Sequence, residues 1–447
     1  MASSRRPTRR QFLKRSAGLG AALTLPLAAP ALSQGKPFQG QTLNVSCWNA
    51  PYPKLLQEYL PEFEALTGMK VNYDTPGFLI YNQRIDLELS TRGSAYDVLN
   101  ITFIYVDRWI RSGWFHPLGE FVRNENSTPK DWDLDDFLPA ARKIMSDRSG
   151  NLMGIPWTCD CYMAVAGRYD LMEKAGLKMP ETFDDIETVA KAMHKDGIAG
   201  FVGDNRHGWN FPPYLQGFGG NVFRKAPDDL MPTLDTPEAV AAADFFSHLL
   251  RDYGPDGVLS YTYDQVTAAL KQGRGNYSTE GHIFLMPAGD ADSKVAKTVR
   301  YSAFPKGPAG HFPGFATHAW GIPVGAKNKR ASWEFIKWAM SRQMMLRAVK
   351  EKGYSSPSRR SIIEDPEFKR RLTLNGSDVA DIYLKAIEIA GGSDYMAYRI
   401  VNVFPQVDTL IGQAIERIVS KQMSASDSMK LAQRTAITDL RRAGVKL

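Results

Sequence analysis

The amino-acid sequence predicts an α/β fold with two lobes. The chain has 447 residues, more than one hydrophobic core usually supports, so we expect two domains or one large two-lobed body. Strand-like and helix-like segments alternate along it, which indicates central, mostly parallel sheets covered on both faces. Hydrophobic residues make up 43% and charged residues 23%, so an ordinary globular protein is expected rather than a disordered one.

The N-terminal half shows the alternation most clearly. Apolar residues at helical spacing, ended by Gly68, predict its first helix. In order, we predict a strand at 42–47, a helix at 54–66, a strand at 70–73, a helix at 81–89, a strand at 96–101 and the start of a helix at 106–110. This order is typical of a parallel sheet.

The remainder of the chain indicates a second lobe. Proline and glycine breaks near 153–157 are followed by a new series of helical segments. We predict helices at 169–175, 183–195 and 236–250, strands at 299–304 and 320–324, and helices at 332–340, 407–419 and 426–440.

Residues 1–33 are predicted to be a signal peptide. The segment 8–14 reads TRRQFLK, and an apolar run at 17–31 follows it. The paired arginines resemble the twin-arginine export signal. A membrane anchor is disfavoured, because the run is shorter than the roughly 20 residues that span a bilayer and contains Pro26 and Pro30. The first cysteine is Cys47, so no lipid acceptor lies near the cleavage region, and we expect a free periplasmic protein.

The positive charge of the chain does not indicate nucleic-acid binding. The formal net charge is +7, but six of the positive residues precede Ala31 and no acidic residue does. Without the signal peptide the protein is therefore close to neutral, and it lacks the basic footprint of a protein that binds a phosphate backbone. We expect no nucleic-acid partner.

The cysteines give no clear chemistry. Cys47, Cys159 and Cys161 are an odd number, so at most one disulfide can form in an oxidising compartment. The C-x-C pair lacks the usual spacing of zinc ligands, and small buried residues in an extended segment are the favoured interpretation. Neither a metal nor a cofactor is expected.

A longer pattern resembles the family 1 extracellular solute-binding proteins of ABC importers, which include the maltose-binding type. Its central part is Gly154-Ile155-Pro156-Trp157, Tyr162, Tyr169-Asp170-Leu171, Lys174-Ala175-Gly176-Leu177, Pro180 and Thr182-Phe183-Asp184-Asp185-Ile186. Further matches occur in the family's order at 63–71, 96–98, 219–221, 234–240, Gly281, 331–336 and 355–359. The resemblance covers nearly the whole mature chain.

This resemblance implies the two-lobed fold of type II periplasmic binding proteins, with hinge-linked lobes that close on a ligand. The N-lobe would combine 36–156 with 282–328, and the C-lobe 157–281 with 329–447. The implied ligand is a sugar or polyol, delivered by a monomer to membrane permease subunits. Two segments depart from the family pattern, Asn276-Tyr277 and 157–161, and both lie where ligands usually bind.

A polyhydroxyl ligand needs aromatic faces for its C–H surfaces and fixed polar groups for its hydroxyls. We sought both at loop ends and at the expected lobe crossings. The candidates are Trp48, Asn49, Gln83, Tyr105, Trp157, Asp160, Tyr162, Trp209, Glu280, Gly281, His318, Trp320 and Arg359. Core packing, helix capping and hinge ion pairs are the competing structural roles for these side chains.

Three other functions stay open. A glycosidase could use a carboxylate pair such as Asp160 and Glu280, although no nucleophile elbow, metal-binding helix or phosphate loop is present. A polyamine or peptide receptor could use Asp107, Asp160 and Glu280 around a cation. An anionic ligand could be clamped by arginines, for which the candidates are Arg84, Arg206 and Arg359.

Overall fold

Strands and helices alternate through the computed structural model, which describes Lys36 and residues 38–281, 292–392 and 395–447. The predicted signal peptide at 1–33 lies outside the described residues. The strands are β1 Thr42–Ser46, β2 Lys70–Asp74, β3 Val98–Thr102, β4 Gly154–Cys161, β5 Met163–Ala166, β6 Ala199–Phe201, β7 Phe223–Lys225, β8 Asp229–Pro232, β9 Gly275–Gly281, β10 Arg300–Ala303, β11 Phe315–Gly321, β12 Thr373–Leu374 and β13 Ser377–Asp378.

The helices lie between and after these strands. They are α1 Pro51–Thr67, α2 Phe78–Ser90, α3 Val106–Arg111, α4 Gly119–Val122, α5 Pro139–Ile144, α6 Tyr169–Lys174, α7 Phe183–Met193, α8 His207–Asn210, α9 Pro212–Gly217, α10 Pro237–Tyr253, α11 Tyr263–Lys271, α12 Lys329–Ala339, α13 Arg342–Lys352, α14 Arg360–Ile363, α15 Pro366–Leu372, α16 Val379–Gly392, α17 Tyr395–Arg399, α18 Phe404–Val419 and α19 Ala425–Arg442. Within the described ranges, none of them combines the length and the apolar character that a membrane span requires.

The first sheet has the strand order β2-β1-β3-β11-β4. Strand β1 runs parallel to β2 and β3, whereas β11 runs antiparallel to β3 and β4. Every residue of β3 is buried, as expected of a central strand that is covered on both faces. We call this sheet and the helices packed on it the N-lobe.

The second sheet has the strand order β10-β5-β9-β6 and forms the centre of the C-lobe. Strand β6 is parallel to β9, and β5 is antiparallel to both β9 and β10. The predicted α/β class is confirmed, with both sheets mixed. Among the described strands of these two sheets, β11 and β5 run against the others, and each directly follows a crossing between the lobes.

The chain crosses between the lobes at two places that lie side by side, and again after α14, because α18 and α19 pack on α8 and α10 of the C-lobe. It leaves the N-lobe at Tyr162, between β4 and β5, and returns through 304–314, between β10 and β11. The backbone N–H of Tyr162 donates a hydrogen bond to the carbonyl of Gly314 at 2.8 Å. The two crossing segments therefore form one hydrogen-bonded hinge.

Two parts of the predicted lobe limits need correction. Strand β10 lies in the stretch 282–328 that the sequence placed in the N-lobe, but it pairs with β5 of the C-lobe. Helices α12 and α13 were placed in the C-lobe, yet they pack on α1, where the Tyr52 hydroxyl donates to the Ala339 carbonyl at 2.5 Å. The apolar patterns of these segments show that each has a buried face, but not on which lobe that face packs. The other limits stay a prediction, and 282–291 lie outside the described residues.

Local sequence explains why α7 begins where it does. Thr182 accepts a hydrogen bond from the backbone N–H of Asp185 at 3.2 Å, and the Asp185 carboxylate accepts from the N–H of Thr182 at 2.9 Å. This capping box satisfies two backbone donors at the helix start. The helix then buries one apolar face against the C-lobe, formed by Phe183, Ile186, Val189, Ala190 and Met193.

All three cysteines are buried free thiols. Burial raises the pKa of each thiol above its ordinary value, so the reactive thiolate is disfavoured. The interpretation of Cys159 and Cys161 as small buried residues in an extended segment is confirmed by their place on β4.

Candidate functional site

A cavity of about 720 Å³ lies between the two lobes. Its aromatic lining residues are Trp48, Phe103, Trp157, Tyr162, Trp209, Tyr263, Phe315 and Tyr354. Its charged lining residues are Lys54, Glu58, Asp160, Arg206, Lys352 and Arg399. A largely aromatic wall with a few convergent polar groups is typical of a small-molecule site.

The N-lobe side of the cavity is built on two tryptophans. Trp48 follows β1 and Trp157 lies on β4, and their ring centroids are 6.3 Å apart. His318 on β11 packs behind both, 5.2 Å from Trp48 and stacked on Trp157 at 5.4 Å. The Trp157 indole N–H donates to Oδ1 of Asn100 at 2.9 Å. Burial lowers the pKa of His318 to about 3, so its imidazole is uncharged at neutral pH.

Asp160 presents a carboxylate to the cavity from the end of β4. Burial raises the pKa of this carboxyl to about 6, although hydrogen bonds from Ser356 and Thr158 act in the opposite direction. The Thr158 hydroxyl lies 3.4 Å from Oδ1. Among the described residues Asp160 has no ion-pair partner within 4.0 Å. Its acceptor capacity is therefore available to a molecule in the cavity.

Arg206 presents a guanidinium from the C-lobe side. Its backbone N–H and its Nε both donate to the fully buried Asp204 at 2.8 Å. The guanidinium also lies over the Tyr263 ring, 5.3 Å from its centroid. Its side chain remains 41% exposed. The group is thus held in place by Asp204 and still reaches the cavity.

Side chains of both lobes meet at one end of the cavity. Phe103 follows β3 of the N-lobe, Trp209 lies on α8 of the C-lobe, and their rings make an edge contact at 5.3 Å. The Arg399 guanidinium lies over both rings, 4.2 Å from Trp209 and 5.3 Å from Phe103. Nearer the surface, Arg148 and Asp228 form an ion pair between the lobes at 3.1 Å. The cleft is closed at this end.

The structure brings five of the predicted site residues together around the cavity. These are Trp48, Trp157, Asp160, Tyr162 and Trp209. They come from a loop after β1, from β4 and the hinge, and from α8. Their contact with a solute stays a proposal, because the geometry shows position and not occupancy.

Two predicted residues belong to the core instead. Trp320 is fully buried and packs against Phe335, with centroids 5.9 Å apart. Arg359 is 1% exposed and forms an ion pair with Asp136 at 2.9 Å. Its Nε also donates to the Met340 carbonyl at 3.0 Å. Both residues stabilise the N-lobe and neither lines the cavity.

Three further candidates lie beside the cavity without lining it. Asn49 is exposed, and its backbone N–H donates to the Pro76 carbonyl at 2.9 Å. Gln83 is exposed on the outer face of α2. The Tyr105 ring stacks on Trp109 at 5.5 Å, beneath the loop. Position after a strand was the reason for choosing Asn49 and Tyr105, and it does not determine which way a side chain points.

Three candidates lie one layer behind the wall. His318 supports the two tryptophans, and Glu280 is buried beneath Asp204. Gly281 is the last residue of β9, where a Cβ would lie 2.7 Å from the Met163 carbonyl. The glycine is thus explained by close strand packing in the C-lobe.

Sequence reasoning missed several lining residues. Phe103 directly follows β3, so the rule that led to Tyr105 could have found it. Tyr354 lies next to the 355–359 segment that carries the family resemblance, and its hydroxyl donates to the Trp157 carbonyl at 2.7 Å. No sequence pattern marks Arg399 or Tyr263 as a site residue, because only the folded chain brings them to the cleft.

Comparison with known proteins identifies the relatives of this chain. The family model described as bacterial extracellular solute-binding protein matches residues 49–345. The erythritol/L-threitol-binding protein of Mycolicibacterium smegmatis is 24% identical over 379 residues, covering 79% of this chain and 78% of that protein. The mannitol-binding protein of Pseudomonas aeruginosa is 23% identical over 439 residues, covering 94% and 96%.

Solved structures show the same fold. A solute-binding protein of Agrobacterium vitis with bound D-mannitol superposes with a TM-score of 0.75 at 23% identity. A solute-binding protein of Agrobacterium radiobacter in complex with ribitol also gives 0.75, at 20% identity. Each comparison covers 90% of this chain and 99% of the other.

Proposed function

Because the chain belongs to the bacterial extracellular solute-binding protein family, we propose that it binds a sugar or polyol between its lobes and delivers it to the permease of an ABC importer. The observation that carries this proposal is the pairing of two polar groups in one aromatic cavity. Asp160 approaches from the hinge strand of the N-lobe, and Arg206 approaches from the C-lobe.

These two groups match the chemistry of vicinal hydroxyls. A hydroxyl both donates and accepts, so a polyhydroxyl chain donates to the Asp160 carboxylate and accepts from the Arg206 guanidinium. Its C–H surface packs on the indole rings of Trp48 and Trp157. Among sugars and polyols we favour a small acyclic polyol, because the two curated relatives described above are named for erythritol or threitol and for mannitol.

Closure provides the coupling to transport. Phe103 and Trp209 meet across the cleft, so the closed form joins half-sites from both lobes. A solute that contacts both half-sites stabilises this form by its differential affinity. A micromolar site needs a binding free energy of about 8 kcal/mol, within reach of buried charge-assisted hydrogen bonds and aromatic contact.

A cationic solute is the second candidate. It is favoured by one observation, the lack of an ion pair at Asp160 among the described residues. The three-arginine clamp considered for an anion is not assembled, since Arg84 pairs with Asp74 and Arg359 with Asp136. Arg206 is neutralised by Asp204. A cation would instead need Asp160 as its counter-ion, as in a polyamine site.

Catalysis is not part of the proposal. Members of the matched family are binding proteins. The carboxylate pair considered for a glycosidase is not presented to the cavity, because Glu280 lies beneath Asp204. Within the described residues, no cluster of three or more His, Cys, Asp or Glu side chains is arranged to hold a metal ion.

A thermal-shift panel tests the ligand class. The mature protein is heated with erythritol, ribitol, D-mannitol, monosaccharides, gluconate, a polyol phosphate and spermidine. A bound solute raises the melting temperature by mass action, so polyols should give the largest shift. A shift with spermidine alone would favour the cationic alternative, and a shift with gluconate or the phosphate alone would contradict both.

We propose that the protein reaches the periplasm through the twin-arginine pathway. The support is the arginine pair Arg9 and Arg10 ahead of the apolar run at 17–31. Changing both arginines to lysine keeps the charge and removes the recognised pair. We expect precursor to accumulate in the cytoplasm, measured by fractionation and immunoblotting. Normal export of this variant would leave a general secretory signal as the explanation.

A further inference from the structure

Two buried carboxyl groups lie in contact behind the C-lobe wall of the cavity. Glu280 on β9 is 4% exposed, and Asp204, in the loop after β6, is 0% exposed. The backbone N–H of Asp204 donates to both Glu280 carboxyl oxygens, at 3.2 and 3.1 Å. The like charge of Asp204 also raises the pKa of Glu280. Two buried carboxyl groups this close do not readily ionise together, so we expect the pair to carry one proton and one negative charge.

Asp204 links this pair to the cavity. It accepts hydrogen bonds from Nε and the backbone N–H of Arg206 at 2.8 Å, and from Nδ2 of Asn210 at 2.7 Å. Oδ1 of Asn210 in turn accepts from the Tyr162 hydroxyl at 2.8 Å. Arg206 and Tyr162 both line the cavity. Two groups that face the solute therefore depend on the position of the Asp204 carboxylate.

The surroundings of the two acids decide which one holds the proton. Asp204 forms an ion pair with the Arg206 guanidinium and accepts from the N–H groups of Arg206 and Asn210. Glu280 faces Asp204 and Arg206 from the loop and Tyr214 from α9. Burial, and next the like charge of Asp204, raise the pKa of Glu280 well above its ordinary value, whereas Arg206 lowers it. Burial and the neighbouring carboxylate therefore both favour the protonated form of Glu280.

We propose that Glu280 is a positioning residue for solute binding, a buried acid that fixes Asp204 through its backbone N–H and, through Asp204, the Arg206 guanidinium. The inference rests on the proposed function, since it assumes that Arg206 contacts the solute. It also goes further, because it assigns a role to a residue that does not line the cavity. A Cβ on Gly203 would lie 2.9 Å from Oε1 of Glu280, which shows how closely the acid is packed beneath this loop.

Three variants test this role. In Glu280→Gln the amide carbonyl still accepts from the Asp204 N–H, and the neutral amide replaces the protonated acid. Glu280→Ala removes the acceptor. Tyr214→Phe is the matched control: it loses a buried hydrogen bond of 2.7 Å to Thr279, next to Glu280 on the same strand, without touching Asp204 or Arg206.

The dissociation constants of D-mannitol and ribitol are measured by calorimetry at pH 7. We expect Glu280→Gln to bind within about twofold of the wild type and Glu280→Ala to bind at least about tenfold more weakly. Tyr214→Phe should have a lower melting temperature than the wild type and the same affinity for the two polyols. Wild-type affinity in Glu280→Ala would overturn the proposal, and so would an equal loss in Glu280→Gln.

A second measurement tests the role of Glu280 without a ligand. It applies if the wild type binds neither polyol, or if Glu280→Ala does not fold. The melting temperatures of the wild type and Glu280→Gln are compared between pH 5 and pH 9. Above the ordinary value of 4.5 the folded state holds a proton that the unfolded state has lost, so stability falls as pH rises. The wild type should lose more stability than Glu280→Gln across this range. Parallel profiles would overturn the inference, whereas failure of both probes alone would count only against the polyol assignment.

Discussion

Asp160 is the residue on which solute affinity depends most in this account. Burial raises the pKa of its carboxyl to about 6, and a solute hydroxyl donates best to the ionised form. We therefore expect the affinity for a polyol to rise between pH 5 and pH 7.5 and then to level off. Calorimetric titration at several pH values measures this directly.

The raised pKa of Asp160 has the opposite effect on the stability of the ligand-free protein, which decreases where the affinity increases. Between the ordinary value of 3.8 and about 6, the folded state holds a proton that the unfolded state has lost, so stability falls as pH rises. Asp160→Asn removes the titration. It should lower affinity about 10- to 100-fold and give a flat affinity profile between pH 5 and pH 7.5. An unchanged pH dependence in this variant would assign the titration to another group.

Two buried tryptophans on adjacent strands differ in whether they reach the cavity. Trp157 on β4 lines the cavity, whereas Trp320 on β11 is buried against Phe335. Trp157→Ala should weaken polyol binding at least about tenfold, because a stacking face is lost, and should also lower the free energy of unfolding, because the ring is only 2% exposed. Trp320→Ala should lower the free energy of unfolding by about 3–5 kcal/mol and leave affinity near the wild-type value at temperatures where the fold persists. Urea denaturation and calorimetry measure both, and a reversed pattern would contradict the placement.

At the residue scale, sequence reasoning was most successful near the hinge. Asp160 and Tyr162 were chosen because a lobe crossing was expected there, and the structure places both on the cavity. Arg359 was chosen from a polar loop but pairs with Asp136, 223 residues earlier in the chain. Such a partner cannot be identified from one sequence, because nothing local distinguishes a buried arginine from one that faces a ligand.

At the scale of elements, helix starts follow from local chemistry. The capping box at Thr182 satisfies two backbone donors of α7. Thr182→Ala should therefore lower the free energy of unfolding by about 1 kcal/mol, as measured by urea denaturation. Thr188 lies on the same helix, where its hydroxyl donates to the Asp184 carbonyl and caps nothing. Thr188→Ala is the control and should change stability by less than about 0.5 kcal/mol. Equal losses in the two variants would contradict the role of the cap.

The predicted elements agree best where a long amphipathic pattern exists. The helix predicted at 407–419 is observed at Phe404–Val419, and the one at 426–440 at Ala425–Arg442. The strand predicted at 320–324 is observed earlier, at Phe315–Gly321. This strand lies between β3 and β4 and is buried on both faces, so it has no alternation of apolar and polar residues to define its ends.

At the scale of the whole molecule, the sequence predicts two lobes. It predicts only in part which segments of the chain form each lobe. Chain length and the alternation of strands with helices indicate a two-lobed α/β body. The assignment of β10, α12 and α13 to lobes depends on long-range packing, such as the bond from Tyr52 to Ala339. The contact of Phe103, Trp209 and Arg399 across the cleft likewise depends on the closed arrangement of the lobes. No local sequence motif predicts it.

We propose that the inter-lobe cavity binds a polyol through Asp160 and Arg206. Isothermal titration of the mature protein with D-mannitol, ribitol and erythritol at pH 7.5 tests it most directly, with Asp160→Asn as the matched control. We expect one site per chain with micromolar affinity for at least one polyol, and weaker binding by Asp160→Asn. Absence of binding to every polyol, or equal binding by the wild type and Asp160→Asn, would contradict it.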